Sequence, residues 1–453
     1  MTGTQIKDFT KGSIPKQLLR FAFPLFLANL LQVVYSMVDM VVVGNTIGNA
    51  GISAVAVGGD VAAFMTFIAM GFSNAGQVII AKYIGAGKKD KIGRFVGTMG
   101  FFLFLCAVVV SALAFIFRVQ ILDLMNTPAE AYEGAMSYAV ISMAGLIFVY
   151  GYNAVSAILR GMGDSKHPFI FIAIAAVLNL ILDLVFVVGF DMGAGGAALA
   201  TIISQAVSFV SCTVFLVIRR ADFALNITGK DFVSPDRSML SALVKLGVPM
   251  AIKSASIQFS KLFVNSWING YGVAVSAFSG IANKIANITN MISLAIGTAS
   301  ATMVGQNIAS HQHKRVKQIM LNVAVISLTV SVIFSVVFCL FPEQIFSLFT
   351  DGNDAEIFAI LSGYIPIAVL LFFGSGARTI MNGILNGSGD YKVNFVTAIL
   401  DGIILRIGLA ILFGIVLDMK HYGFWLGDAL AGFTPFWIGL VYYFSGRWKR
   451  QDI

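Results

Sequence analysis

The sequence predicts an all-α polytopic membrane protein, twelve transmembrane helices in two six-helix bundles related by a pseudo-twofold axis along the membrane normal, and three observations carry that prediction. Hydrophobic residues make up 58% of the 453 and charged residues 11%, against roughly 45–50% and about 25% in soluble domains, so a water-soluble surface could not be built. Apolar stretches of twenty residues or more recur along the whole chain. Each is long enough for a helix to cross a hydrocarbon core of about 30 Å, whereas a barrel would show short alternating strands. Finally, the chain repeats itself. Ile158-Leu-Arg-Gly-Met-Gly-Asp-Ser-Lys-His-Pro-Phe169 lies over Ile384-Leu-Asn-Gly-Ser-Gly-Asp-Tyr-Lys-Val-Asn-Phe395, and Leu18-Leu-Arg-Phe-Ala-Phe-Pro24 lies over Leu243-Val-Lys-Leu-Gly-Val-Pro249. An even number of spans in each copy sets both copies in the membrane the same way up.

The spans are expected at 18–43, 52–79, 95–117, 135–159, 168–189 and 196–218 in the first copy, and at 241–268, 275–305, 318–341, 357–385, 394–417 and 423–445 in the second. Residues 1–218 and 239–453 are therefore expected to be two lobes, joined by a polar cytoplasmic linker at 219–238. The loops preceding odd-numbered spans are basic, among them Lys7/Lys11/Lys16/Arg20, Lys82/Lys88/Lys89/Lys91/Arg94, Arg219/Arg220/Lys230/Arg237 and Lys314/Arg315/Lys317, while the opposite loops hold only Arg118 and Lys420. By the positive-inside rule both termini face the cytoplasm. The net charge of +8 is then mostly a topology signal, and nucleic acid is not an expected partner. Met1–Gln17 is polar and the apolar run after it is too long for a signal peptide, so the first span is expected to stay. Cys106, Cys212 and Cys339 are odd in number and lie in apolar runs, which fits small core residues. The four histidines lie at span ends or loops and offer no obvious haem ligands, and no Gly-Lys-Ser/Thr loop is present to cradle a nucleotide. No catalytic residue and no cofactor are expected.

Polar residues inside the spans point to function. In the first span Asn29, Gln32, Tyr35, Ser36 and Asp39 form a stripe at helical spacing. Pro24, two turns before that stripe, removes a backbone hydrogen bond and is a candidate hinge. Asn179 and Asp183 share a face of the fifth span, and Thr201, Ser204, Gln205 and Ser208 a face of the sixth. Such hydroxyls and amides also serve as hydrogen-bonding glue between helices, the structural reading of Gln32, Ser204 and Ser208. Intramembrane acids more often mark ion pathways. Two carboxylates facing one dry cavity repel each other, and a proton or a shared Na⁺ relieves that repulsion equally; H⁺ and Na⁺ both stay open as coupling ion. The second copy reverses the sign, with Lys253, Lys261, Lys284, Arg378 and Arg406 against Asp401 and Asp428, where the first has Asp39, Asp60 and Asp183 and no base. Lys284 and Arg378 can be read as snorkelling or as paired with a neighbouring acid. Gln32, Tyr35, Ser36, Gln258, Lys261 and Arg406 are expected to line the substrate cavity.

In their order along nearly the whole chain, several motifs resemble those of the multidrug and toxic compound extrusion (MATE) transporters: Pro24 with Ser36-Met-Val-Asp39-Met and Gly44, Gly71 to Gly76-Gln77, Ile84-Gly-Ala-Gly, Arg160-Gly-Met-Gly-Asp164, Asn179-x3-Asp183, Gly195-Gly-Ala-Ala-x2-Thr201, Val304-Gly-Gln-Asn307 and Arg406. The resemblance implies a prokaryotic plasma-membrane antiporter of two six-helix bundles with a central cavity, working as a monomer and exporting amphipathic small molecules in exchange for H⁺ or Na⁺. It also implies ion coupling at Asp39, Asn179, Asp183 and Thr201, with Asn153 nearby, and a Na⁺ site built from the first four. Another branch uses acids of the seventh and tenth helices; here the seventh has Gln258 among Ser and Lys, and no acid lies between Ile357 and Leu385. Two alternatives remain: a flippase for lipid-linked precursors, which the basic second copy would suit, and an intramembrane prenyltransferase, which would need a second acidic cluster.

Cysteines introduced at Lys88, Lys230 and Lys314 are expected to react only with cytoplasmic reagents, and one at Glu130 or Asp354 only from outside. Labelling of Lys88 and Glu130 from the same side would refute this topology.

Overall fold

Without water to satisfy backbone amides, an apolar segment in a bilayer closes its hydrogen bonds within itself, and every predicted span is accordingly helical. The computed structural model describes residues 5–223, 225, 227–349 and 355–450, and among these there is no strand. Asp354 lies outside them. Among the described residues eleven helices are long and apolar enough to cross a membrane: Ile14–Ile47, Asn49–Gly85, Asp90–Ile116, Lys166–Gly189, Gly193–Ile218, Arg237–Asn269, Val273–Ala309, His313–Leu340, Glu356–Gly387, Tyr391–Val416 and Lys420–Ser445. The fourth expected span is a broken one, Ala129–Ala144 and Leu146–Gly161, bent by 51°. At the break stands Gly145, where a Cβ would collide with Ile202 of the sixth span. Large side chains such as Phe64, Phe104, Ile116, Val177, Val325 and Phe444 point outward, exposed, as a hydrocarbon solvent requires.

Where the repeated segments fall, both copies solve one packing problem. Gly161 has no room for a Cβ against the Gln77 carbonyl and Ile80, and Gly387 has none against the Ala301 carbonyl and Val304. Small residues let membrane helices approach this closely. Gly163 and Gly389 then turn the chain with φ of +87° and +70°, a left-handed conformation that glycine adopts without steric penalty. The next residue caps the following helix. Asp164 Oδ1 accepts from the backbone N–H of Lys166 (3.0 Å) and His167 (3.2 Å), and Asp390 Oδ1 from those of Lys392 (3.0 Å) and Val393 (3.5 Å).

The chain divides into two compact units, but at different places from the expected lobes. One comprises 1–8 and 23–251, the other 9–22 and 252–453. The boundary thus falls inside the first and seventh spans, close to Pro24 and Pro249. In the N-terminal unit the start of the seventh span packs on the second: Gly71 abuts the Ala251 backbone and Gly247 abuts the Phe72 ring. The 219–238 segment, expected to be a linker, belongs to the same unit. Its short helix Gly229–Val233, capped by Thr228 and Asp231, lies against Gly97, and Asp236 pairs with Arg94 at 3.2 Å. In the C-terminal unit the backbone of Phe9 is clamped by Gln306, Asn307 and Arg315 at 2.9, 3.1 and 2.9 Å. An aromatic core around Phe278, Phe346, Tyr364 and Trp425 fills that unit.

Asp164→Ala and Asp390→Ala should each lower stability by about 1 kcal/mol, the usual worth of an N-cap; a thermal melt in detergent checks this, and no change for either would show the turn to be held by its glycines alone. Pro24→Ala, at the point where the first span passes between units, should slow turnover more than it weakens substrate binding. Unchanged turnover by folded protein would remove the hinge role.

Candidate ion-coupling site

Three spans of the N-terminal unit bring four of the expected residues together. Asp39 lies five residues past the middle of the first span's polar stripe and is 2% exposed; Asn179 and Asp183, one turn apart at the end of the fifth span's α-helical part, are 2% and 0% exposed. Thr201, on the sixth span, donates its hydroxyl to Asp39 Oδ2 at 3.1 Å and accepts from Asn179 Nδ2 at 3.4 Å. The two carboxyl groups are neighbours within this cluster. Directly after Asp183 the helix widens into a π-turn, Leu184–Gly189, a local irregularity that recurs at functional sites.

The hydrogen-bonding account of the cluster is incomplete in one direction only. Asp39 Oδ1, Asn179 Oδ1 and both carboxylate oxygens of Asp183 are buried and accept no hydrogen bond. Four orphaned oxygens on two acids and an amide are a strong demand for positive charge or a donated proton, since an uncompensated buried polar atom is costly. The set is all oxygen, the donor type that a hard cation prefers. A proton on either acid would also supply a donor to its neighbour.

The other expected residues are placed differently. Asn153 donates its amide to the Val149 carbonyl of its own helix at 2.8 Å and is not hydrogen-bonded to the cluster. Tyr35 is half-buried and accepts from Gln205 Nε2 at 3.3 Å, while Gln32 and Ser36 are exposed. In the C-terminal unit Gln258 is exposed and Lys261 half-buried. Arg406 does not line a cavity: it is 2% exposed and its guanidinium is taken up by Asp401 at 3.1 Å and by Asp428. Arg378 joins the same network through Asp401 at 3.3 Å. Pairing of this kind is what keeps buried charges tolerable. Tyr138, on the first arm of the broken fourth span, is buried beside Thr201 and both acids. Nothing in its apolar surroundings marks it in the sequence.

A family model described as MatE matches residues 24–185 and 249–412, one match in each copy. The chain belongs to the MATE family. It is 29% identical over 446 residues to the probable multidrug resistance protein YpnP of Bacillus subtilis (strain 168), with 98% of each chain covered. To the probable multidrug resistance protein YoeA of the same strain it is 27% identical over 448 residues, 98% of this chain and 96% of that one. Among solved structures, MATE in the bent conformation matches with a TM-score of 0.89 at 22% identity, covering 99% of this chain and 98% of the other. MATE proteins are multidrug efflux transporters, so this chain is a transporter and no enzyme, and the prenyltransferase alternative falls.

Proposed function

We propose that this protein is a secondary active antiporter of a prokaryotic plasma membrane, with both termini cytoplasmic, which exports amphipathic small molecules in exchange for H⁺ or Na⁺. The observation that carries the reading is the pair Asp39 and Asp183, adjacent, buried, and left with three unpaired carboxylate oxygens between them. Two such carboxylates cannot both stay charged and dry. Entry of one cation, bound by Asp39, Asp183, Asn179 and Thr201 as Na⁺ or carried as a proton on one acid, removes the repulsion. The same cluster serves either ion, because what it needs is one positive charge and acceptors or donors for four oxygens.

Exchange follows if the ion and the exported molecule favour different conformations, since a ligand that binds two states equally shifts neither. The uncharged cluster lets the first and fifth spans close together; the charged one demands polar company, from water or from the cationic or apolar-amphipathic part of a substrate. Alternating access is the form such a cycle takes in a membrane, with Pro24 allowing the first span to bend as Asp39 changes state. The excess of basic residues in the loops that flank the termini supports the orientation.

Purified protein in liposomes, with H⁺ and Na⁺ gradients imposed separately, tests the mechanism. Asp39→Asn should abolish gradient-driven export while substrate still binds, and Asp183→Asn should reduce it by roughly 5–150-fold, the usual span of a coupling free energy. Full gradient-driven export by the Asp39→Asn/Asp183→Asn double variant would refute coupling at this cluster and turn attention to Asp401.

A further inference from the structure

The C-terminal unit holds more positive charge in its spans than it can neutralise. Its interior cations are Lys253, Lys261, Arg378 and Arg406; Lys284 is exposed and lies over the Phe349 ring at 5.8 Å, so it stands apart. Asp401 and Asp428 are the acids that face them. Both are engaged by arginines: Arg378 and Arg406 share Asp401 Oδ1, and Arg406 also holds Asp428. Two arginines and two aspartates cancel, which leaves the charges of Lys253 and Lys261.

Both lysines are half-buried, and Lys253 lies at the middle of its span. Lys253 stands sixteen residues from either end of the seventh span, Arg237–Asn269, about 24 Å at 1.5 Å per residue, well beyond the reach of a snorkelling side chain. Its Nζ is held inward, donating to Asn382 Oδ1 of the tenth span at 3.0 Å. That amide oxygen is neutral and takes one of three N–H groups. Lys261, two turns on, makes no hydrogen bond or ion pair among the described residues. Arg378 lies one turn before Asn382 on the tenth span, close enough to both lysines for its charge to bear on each. Its Nε is buried and donates to nothing. Two lysines with no carboxylate in contact thus lie within electrostatic reach of one paired arginine that keeps an unused donor, in an interior where an unneutralised charge is costly.

We propose that Lys253, Lys261 and Arg378 form an oxyanion subsite that takes a carboxylate or phosphate group of the exported molecule. The Arg406–Asp401–Asp428 network behind it fixes Arg378, whose planar fork suits an oxyanion, while the lysines contribute mobile point charges. The inference rests on the reading of the chain as an exporter of amphipathic molecules and sharpens it: the substrate class is zwitterionic or anionic amphiphiles, and a purely cationic dye would leave the subsite unmatched.

A rhodamine with a free benzoate and the same dye as its methyl ester differ only in the anionic group. Their binding to purified protein in phosphatidylcholine nanodiscs, read by fluorescence anisotropy, tests the subsite without any ion gradient. The acid should bind more tightly than the ester. Lys253→Gln, Lys261→Gln and Arg378→Gln should each weaken the acid by roughly tenfold or more, as expected when one partner of a buried charge pair is removed, and leave the ester nearly unchanged; Lys253→Arg and Lys261→Arg, which keep the charge, should retain the preference and guard against misfolding as the cause. Equal binding of both dyes, or an acid preference that survives the Gln variants, would overturn the proposal. Competition by phosphatidylglycerol against the acid alone would assign the anion to a lipid headgroup and overturn the substrate assignment. Failure of the exporter reading looks different: neither dye would cross liposomes under a gradient although the acid preference persisted.

Discussion

A charge inside a bilayer must be cancelled within a few ångströms, because no water is at hand to do it. The two units of this protein meet that constraint in opposite ways. The N-terminal unit keeps two acids adjacent, with no base paired to them among the described residues. The C-terminal unit builds in counter-charges for its arginines, with Asp401 bridging two of them and Asp428 closing the network, and leaves Lys253 and Lys261 over. One cluster is short of positive charge, and the arginines of the other are already paired.

Much of this was legible in the sequence, and the limits have physical causes. Hydropathy located every span, because the bilayer imposes one length and one polarity on them all. The acids of the first and fifth spans and Thr201 of the sixth stood out because polar residues in apolar helices are few. The break at Gly145 did not, since a lone glycine in an apolar run reads the same whether it packs against Ile202 or bends a helix. Pairing was hidden too: Arg406 was visible as a buried cation, but the helical rotation that turns it toward Asp401 and Asp428 belongs to tertiary packing. Tyr138 was missed because an aromatic ring in a membrane helix is ordinary until a carboxylate is found beside it.

Many of the motifs by which the chain resembles its family turn out to be joints. Gln77 receives Arg160 at 2.9 Å, Gln306 and Asn307 grip the Phe9 backbone, and each Gly-x-Gly-Asp segment is a tight turn with its own helix cap. Such positions admit few residue types on steric and hydrogen-bonding grounds. Charged residues inside the spans are under no such common constraint, and here they differ between the copies: the C-terminal unit has lysines and arginines where the N-terminal unit has acids. The fold is thus carried by the repeated residues, and the chemistry by the unrepeated ones.

The exchange of helix segments between units has a consequence for biosynthesis. Residues 9–22 are made before almost all of the N-terminal unit yet belong to the unit made last, and the N-terminal unit lacks part of its packing until residue 251 has been added. Neither half of the duplication is a finished folding body. Phe9 must wait for Gln306 and Asn307, and the face of the second span around Gly71 and Phe72 must wait for Gly247 and Ala251. The seventh span is thus shared: its residues up to 251 close the first unit, and those from 252 open the second.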